Sequence, residues 1–202
     1  NISEDLILEI GGNAMLIRAG ALHHDIGKLA IPIFFIENQN TGFNPHNEIS
    51  YQESAQAIIS HVTNGVKLAY KHKLPEPIID FIRTHHGTSK TKYFYNRYVA
   101  ENPDKPIDST IFTYKGPRPF SRETAVVMMV DAVEAASRSL KNHSESEISK
   151  LVDNIINSQI EDEQFSNSDI TFKDVDKIKE LLKKKLQSIY HVRIEYEITK
   201  KQ

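Results

Sequence analysis

The sequence predicts an all-α fold, a single helical bundle interrupted by a long loop insertion. Apolar residues recur at helical spacing along most of the 202 residues, and helix-opening capping patterns precede several of those segments. The one stretch that alternates apolar and polar residues, Val192 to Ile198, would be a lone strand without a partner, so it does not argue for a sheet. A chain of this length buries one substantial core, and one domain is the expectation.

Taken in order, Leu6, Ile7 and Ile10 form a first apolar stripe that Gly11-Gly12-Asn13 breaks. A second helix runs from about Ala14 through Leu16, Ile17 and Ala21 to His24-Asp25. Residues 30–47 read as loop, punctuated by Pro32, Gly42 and Pro45. Ser50-Tyr51-Gln52-Glu53 is a capping-box pattern. It opens a helix with Ala55, Ile58 and Ile59 facing inward and His61 near its end, and helical spacing continues from Val62 to His72. Pro75 and Pro77 suit a helix start. That helix carries Ile78, Ile79, Phe81 and Ile82 to His85-His86, where Gly87 stops it. The long insertion, Thr88 to Phe120, holds a short aromatic helix over 93–100 and an irregular remainder containing several prolines; connections of that length are often functional. Ser121 opens a long helix to about Lys141, Ser144-Glu145-Ser146-Glu147 is a second capping box for a helix to about Ile160, and Thr171 opens a last one through Leu181, Leu182 and Leu186.

Composition narrows the function classes. The hydrophobic fraction is 39%, the charged fraction 26% and the net charge -2, which suits neither a surface that coats DNA or RNA polymers nor a polybasic membrane anchor. A phosphate-rich substrate would have to be held locally, by metals and a few basic groups. Cysteine is absent, which excludes disulfides, thiolate zinc sites and a cysteine nucleophile. No stretch approaches the roughly 20 apolar residues of a membrane span, and no signal-peptide pattern is present. The first residue is Asn1 and helical spacing begins at once. The expectation is a domain excised from a larger polypeptide, touching a membrane only through segments outside this chain.

The chemistry concentrates in His24-Asp25-Ile26-Gly27-Lys28, followed by His61, by His85-His86 and by Asp131. Imidazole and carboxylate side chains in that mixture suit divalent transition metals. On a continuous helix His24 and Asp25 would diverge by roughly 100°, but at a helix end leading into Gly27 both can turn toward one centre. His85-His86-Gly87 repeats that arrangement. Asp131 stands in the apolar run Val126 to Val133, where a buried carboxylate requires a cation or strong donors. Each has an ordinary alternative: a histidine near a helix C-terminus is favourable in itself, and Arg122 or Arg138 could pair with Asp131. Jointly they point to ligands gathered from four helices, as in helix-bundle metal sites. Two ions roughly 3.5–4 Å apart lower the pKa of water and hold phosphate oxygens for in-line attack, so no side-chain nucleophile is needed. Lys28 is a candidate point charge for phosphate, or a helix cap. Arg118, in Gly116-Pro117-Arg118-Pro119, is a candidate phosphate fork, or a surface or inter-loop contact. Tyr93, Phe94, Tyr95 and Tyr98 either anchor the loop or stack a nucleobase.

The His24-Asp25 pair with its downstream ligands resembles the HD superfamily of metal-dependent phosphohydrolases, and so implies an HD-domain helical bundle. Ile58-Ile59-Ser60-His61-Val62, Ile82 to Thr88, Gly116 to Pro119, Asp131 to Leu140 and Tyr190 to Tyr196 further resemble the cytoplasmic domain of bacterial seven-transmembrane HD proteins. That resemblance covers essentially the whole chain. It implies hydrolysis of cyclic di-AMP to pApA at the cytoplasmic face of a membrane. It implies two divalent transition metals, with Mn or Fe foremost among the Mn, Fe, Co and Zn that such ligands admit. His24, Asp25 and Asp131 would serve the first ion, with Asp25 bridging to a second completed by His61, His85 and His86. The family's first ion normally has one more histidine from a preceding helix, and none stands upstream of His23, so the expectation is either that this ligand belongs to a segment before Asn1 or that the first site is incomplete. The cyclic di-GMP branch carries Gly-Tyr-Pro after its paired histidines; Thr88-Ser89-Lys90 here argues against it. Two rivals remain at this stage: a phosphohydrolase of another nucleotide, since the ligands do not choose the substrate, and a weakly active nucleotide-binding signalling module.

Overall fold

The computed structural model describes residues 2–39 and 42–199, with side chains described as far as residue 190. Its α-helices are α1 (Ile2–Ile10), α2 (Ala14–His23), α3 (Tyr51–Lys71), α4 (Glu76–Thr84), α5 (Lys92–Glu101), α6 (Arg122–Ser137), α7 (Glu145–Glu161) and α8 (Phe172–Thr199). Among the described residues the only extended pairing is an isolated antiparallel bridge between Lys90 and Thr113, so the all-α expectation holds. No described helix is long and apolar enough to cross a membrane. The chain divides into two compact units, Asn1–Arg18 with Pro119–Gln202, and Ala19–Arg118.

In the first unit α1, α6, α7 and α8 pack as helix on helix. Val175, Ile178, Leu182 and Leu186 follow the three-four spacing of one α8 face, Ile148, Val152 and Ile156 that of α7, and all seven are buried. α6 is apolar on every side because Ala125 to Val130 are all buried, which explains its unbroken hydrophobic run. Its N-terminus is closed by a reciprocal box between Ser121 and Thr124. It ends at Ser137, a turn short of Lys141, because the Ser137 carbonyl is met by the His143 ring at 3.1 Å. At α7 only half of the expected box forms. Ser144 accepts from the Glu147 amide, while the Glu147 carboxylate turns to Lys150 at 3.2 Å. α8 takes in residues 192–198, so their alternation belongs to a helix and not to a strand.

The second unit is organised around α3, which packs against α4, α5 and the turns at 26–30 and 109–112. Ser50 and Glu53 form the full capping box at its start. The helix then runs unbroken for 21 residues, which puts His61 at its middle and not near an end. Gly65 does not interrupt it, because the helix there lies against the backbone of Gly27. A Cβ on Gly27 would sit 1.8 Å from the His61 carbonyl oxygen and 2.5 Å from the Gly65 nitrogen. The glycine following His24-Asp25 is therefore required for close approach, and it seats the 26–30 turn on α3. Residues 30–47 are more ordered than a plain loop, forming short 3-10 turns at Pro32–Phe34, Ile36–Asn38 and Pro45–Asn47. α4 starts at the two prolines and ends at Thr84; Gly87, at φ 50°, releases the chain.

Gly27→Ala should unfold at lower urea than the parent by about 1–3 kcal/mol, the usual cost of overpacking, because the clash is with backbone and cannot be relieved by a rotamer. An unchanged midpoint would show that the 26–30 turn can lift off α3.

Candidate metal centre

Within the second unit, four of the sequence-predicted ligands share one centre. His24 and Asp25 follow the end of α2, His61 comes from the middle of α3, and His85 caps α4. Each imidazole is aimed by its own helix. His24 Nδ1 meets the Ala21 carbonyl at 2.8 Å, His61 Nδ1 the Ile58 carbonyl at 2.6 Å, and His85 Nδ1 the Ile82 carbonyl at 2.9 Å. A carbonyl can only accept, so each Nδ1 carries the proton and donates it. All three rings then offer their Nε2 atoms to the centre. Those Nε2 atoms lie 3.2, 3.4 and 3.6 Å from Asp25 oxygens for His24, His61 and His85 in turn.

This arrangement tests whether the residues suit metal ions. His61 Nε2 and His85 Nε2 face one another at 3.0 Å, both fully buried. Two neutral imidazoles with both Nδ1 atoms committed present lone pair to lone pair, and that contact needs a cation between them. A proton or a metal ion satisfies it. His86 stands on the same side, its ring 5.1 Å from that of His61, and the three histidines together offer ligand atoms within 4.8 Å of one another. The donor set fits a divalent ion.

The electrostatics agree. Burial raises the Asp25 carboxyl, but where His24 and His85 also carry a proton on Nε2, the hydrogen bonds and charge this brings outweigh burial and hold the group well below the usual carboxylate range. Burial, reinforced by His85, pushes His61 down to about 4 against the pull of the Ile58 carbonyl and of Asp25. A neutral, ligand-ready ring results. Lys28 Nζ lies 2.7 Å from Asp25 Oδ2 and 2.8 Å from Glu37 Oε1. Burial lowers its ammonium, and the two carboxylates more than restore it.

The remaining candidates have these surroundings. Arg118 donates from Nε to Thr88 Oγ1 at 3.2 Å, the loop contact allowed for it in the sequence. Tyr95 and Tyr98 pack on Phe112 at 5.6 and 5.4 Å, so they anchor the insertion. His23 turns its Nδ1 to the Ala19 carbonyl at 2.8 Å as a helix neighbour. In the first unit Asp131 is half-buried on α6, and Arg122, one partner considered for it, is instead taken by Asp169 and the Ile10 carbonyl. Three contributors were not read from the sequence. Glu37 holds Lys28, Phe35 sets its edge on the His61 ring at 5.7 Å, and Tyr114 stacks on His86 at 4.2 Å. Tyr114 reaches that place because its amide donates to the Ser89 carbonyl beside the Lys90–Thr113 bridge. Only a predicted pairing of 89–91 with 112–114 would have revealed it.

The His61 environment has a measurable consequence. In the unfolded chain this ring titrates near 6.5 and in the folded protein near 4, so the unfolded state takes up the proton first. Metal-free protein should therefore be fully stable above pH 6.5 and lose on the order of 3 kcal/mol as pH falls to about 4. Urea titrations across that window should show the slope, and His61→Gln should remove most of it. A flat profile in the parent would mean that the ring is not desolvated.

The family model described as HD domain matches residues 1–181. The chain is 44% identical over all 202 of its residues to cyclic-di-AMP phosphodiesterase PgpH of Bacillus subtilis, and 38% identical over 196 residues to the protein of that name from Listeria monocytogenes. It spans 28% and 27% of those relatives' own lengths, little more than a quarter. It is also similar to the crystal structure of the L. monocytogenes phosphodiesterase PgpH HD domain in complex with cyclic-di-AMP. The TM-score is 0.90 and the identity 37%, covering 94% of this chain and 88% of that one. An all-helical chain whose His24-Asp25 pair is met by buried, inward-facing histidines, and which matches the HD model over nearly its full length, belongs to the HD domain family.

Proposed function

We propose that this chain is a metal-dependent phosphodiesterase domain that hydrolyses cyclic di-AMP to the linear dinucleotide pApA. The observation that carries the reading is the facing pair of buried Nε2 atoms, His61 and His85, beside Asp25. The likeness to PgpH relatives and to a cyclic-di-AMP complex supports the substrate. When bound, two divalent ions, Mn or Fe, would supply a water that is nucleophilic at neutral pH and would neutralise charge on the phosphate oxygens.

In this reading Asp25 would be the ligand common to both ions. His24 and Asp131 would hold the first, and His61, His85 and His86 the second. Asp131 is assigned from sequence: it is the acid in the apolar run of α6, at a half-buried position. Within this chain the first ion would have one imidazole, His24, and the second would have three. Lys28, tethered by Glu37, stays beside Asp25 as a point charge for phosphate, and Arg118 offers a second contact from the insertion. The greater length of the relatives supports a place in a larger protein, which by the resemblance would hold this domain at the cytoplasmic face of a membrane.

Asp25→Ala should lose bound metal, read by elemental analysis, and lower cyclic di-AMP turnover by at least about 10²–10³-fold. Retained turnover would remove the bridging role. Lys28→Met should lower activity by about 10–100-fold while leaving the second ion in place, since it supports Asp25 without ligating. Product analysis against nucleoside triphosphates separates this reading from a monomeric-nucleotide hydrolase.

A further inference from the structure

His46 is not one of the residues gathered at the metal centre, but its ring is built into the segment that serves that centre. A carbonyl can only accept, so the 3.0 Å contact between His46 Nε2 and the Phe34 carbonyl is a bond that the ring donates. The same ring packs between Phe34 and Phe94, with centroids 5.3 and 4.9 Å away. Its Nδ1 is buried and meets no hydrogen-bond partner among the described residues. An unpaired buried nitrogen is costly, and a phenylalanine would fill the same space without that cost. The imidazole is therefore explained by what its other nitrogen holds.

What it holds is the peptide that leads into Phe35. Asn44 and Gln39 brace the same stretch. Asn44 Oδ1 accepts from the His46 amide at 3.0 Å, and Gln39 Nε2 donates to the Ile33 carbonyl at 3.1 Å. The stretch so fixed carries two contacts to the centre. Phe35, 5% exposed, packs against the His61 ring and lies 5.1 Å from the Lys28 ammonium. Glu37 holds that ammonium beside Asp25.

We propose that His46 is a positioning residue of the metal centre, which by holding the Phe34 carbonyl keeps Phe35 on His61 and Glu37 on Lys28. It acts through residues 34–37 and not on the ions themselves. Its contact with Phe94 brings α5 onto the same ring, so the insertion is braced against the segment that steadies the ligands. The inference rests on the metal-centre reading above and deepens it, since outer contacts of this kind orient the ligands.

The test measures Mn²⁺ affinity by calorimetry and cyclic di-AMP turnover by steady-state kinetics on the same proteins. His46→Phe keeps the ring packing and removes the donor, so its urea midpoint should stay near that of the parent. Its Mn²⁺ affinity and its kcat should each fall by about three- to tenfold, with KM little changed. His46→Gln returns an N–H donor and should restore both to within about twofold of the parent. In a Glu37→Gln background His46→Phe should cost less than it does alone, because both act through one segment. In the parent, long-range proton–nitrogen spectra should place the His46 proton on Nε2, a reading that needs no variant to fold. A proton confined to Nδ1, an unchanged Mn²⁺ affinity in His46→Phe, a failure of Gln to rescue, or losses that simply multiply would each overturn the role. If cyclic di-AMP proves not to be hydrolysed while Mn²⁺ affinity falls and is rescued, the substrate assignment fails and the positioning role stands.

Discussion

Three short hydrogen bonds govern the chemistry of this chain: the Nδ1–H groups of His24, His61 and His85, each given to a carbonyl three residues earlier. Helix geometry makes that bond available, since a side chain in a helix leans back toward the preceding turn. Once it forms, the tautomer is set, the ring plane is set, and the remaining nitrogen is a lone pair with a defined direction. Asp25 lies where those directions meet. The interior around His61 and His85 is dry enough that leaving the lone pairs uncompensated is expensive, so the fold itself creates the demand for a cation.

Packing serves that demand. The His24-Asp25 pair stays against α3 because Gly27 has no Cβ to hold it off, and α3 stays continuous past His61 because Gly65 meets the same turn. A second layer of contacts steadies the acid. Lys28 holds one Asp25 oxygen and is itself anchored by Glu37, so an ammonium faces the carboxylate even without a metal. Outer partners of this kind orient ligands and tune their basicity.

Much of this was legible in the amino-acid order because the relevant signals are local. The His24-Asp25 and His85-His86 pairs sit at helix ends, where capping residues, prolines and glycines mark the boundaries. The box at Ser50 and the stripes of α7 and α8 are visible as spacing alone. What escaped depends on pairing across distance. Gly27 reads locally as a chain breaker, and only its contact with the His61 carbonyl shows why a larger residue is excluded. Glu37 and Phe35 lie in a segment whose prolines suggest irregular loop, yet 3-10 turns carry them back to Lys28 and His61. Tyr114 sits in the long insertion, and its stacking on His86 follows from a two-residue ladder too short to leave a periodic trace.

The central claim concerns which nitrogens face the centre, and histidine ¹⁵N NMR reads that directly. Long-range proton–nitrogen spectra should be recorded on the metal-free protein and on protein loaded with zinc, a diamagnetic ion that imidazoles accept. His61 and His85 should keep protonated Nδ1 atoms throughout, with their Nε2 resonances moving to the metal-bound range on loading. Protonated Nε2 atoms that do not respond to the ion would contradict the account.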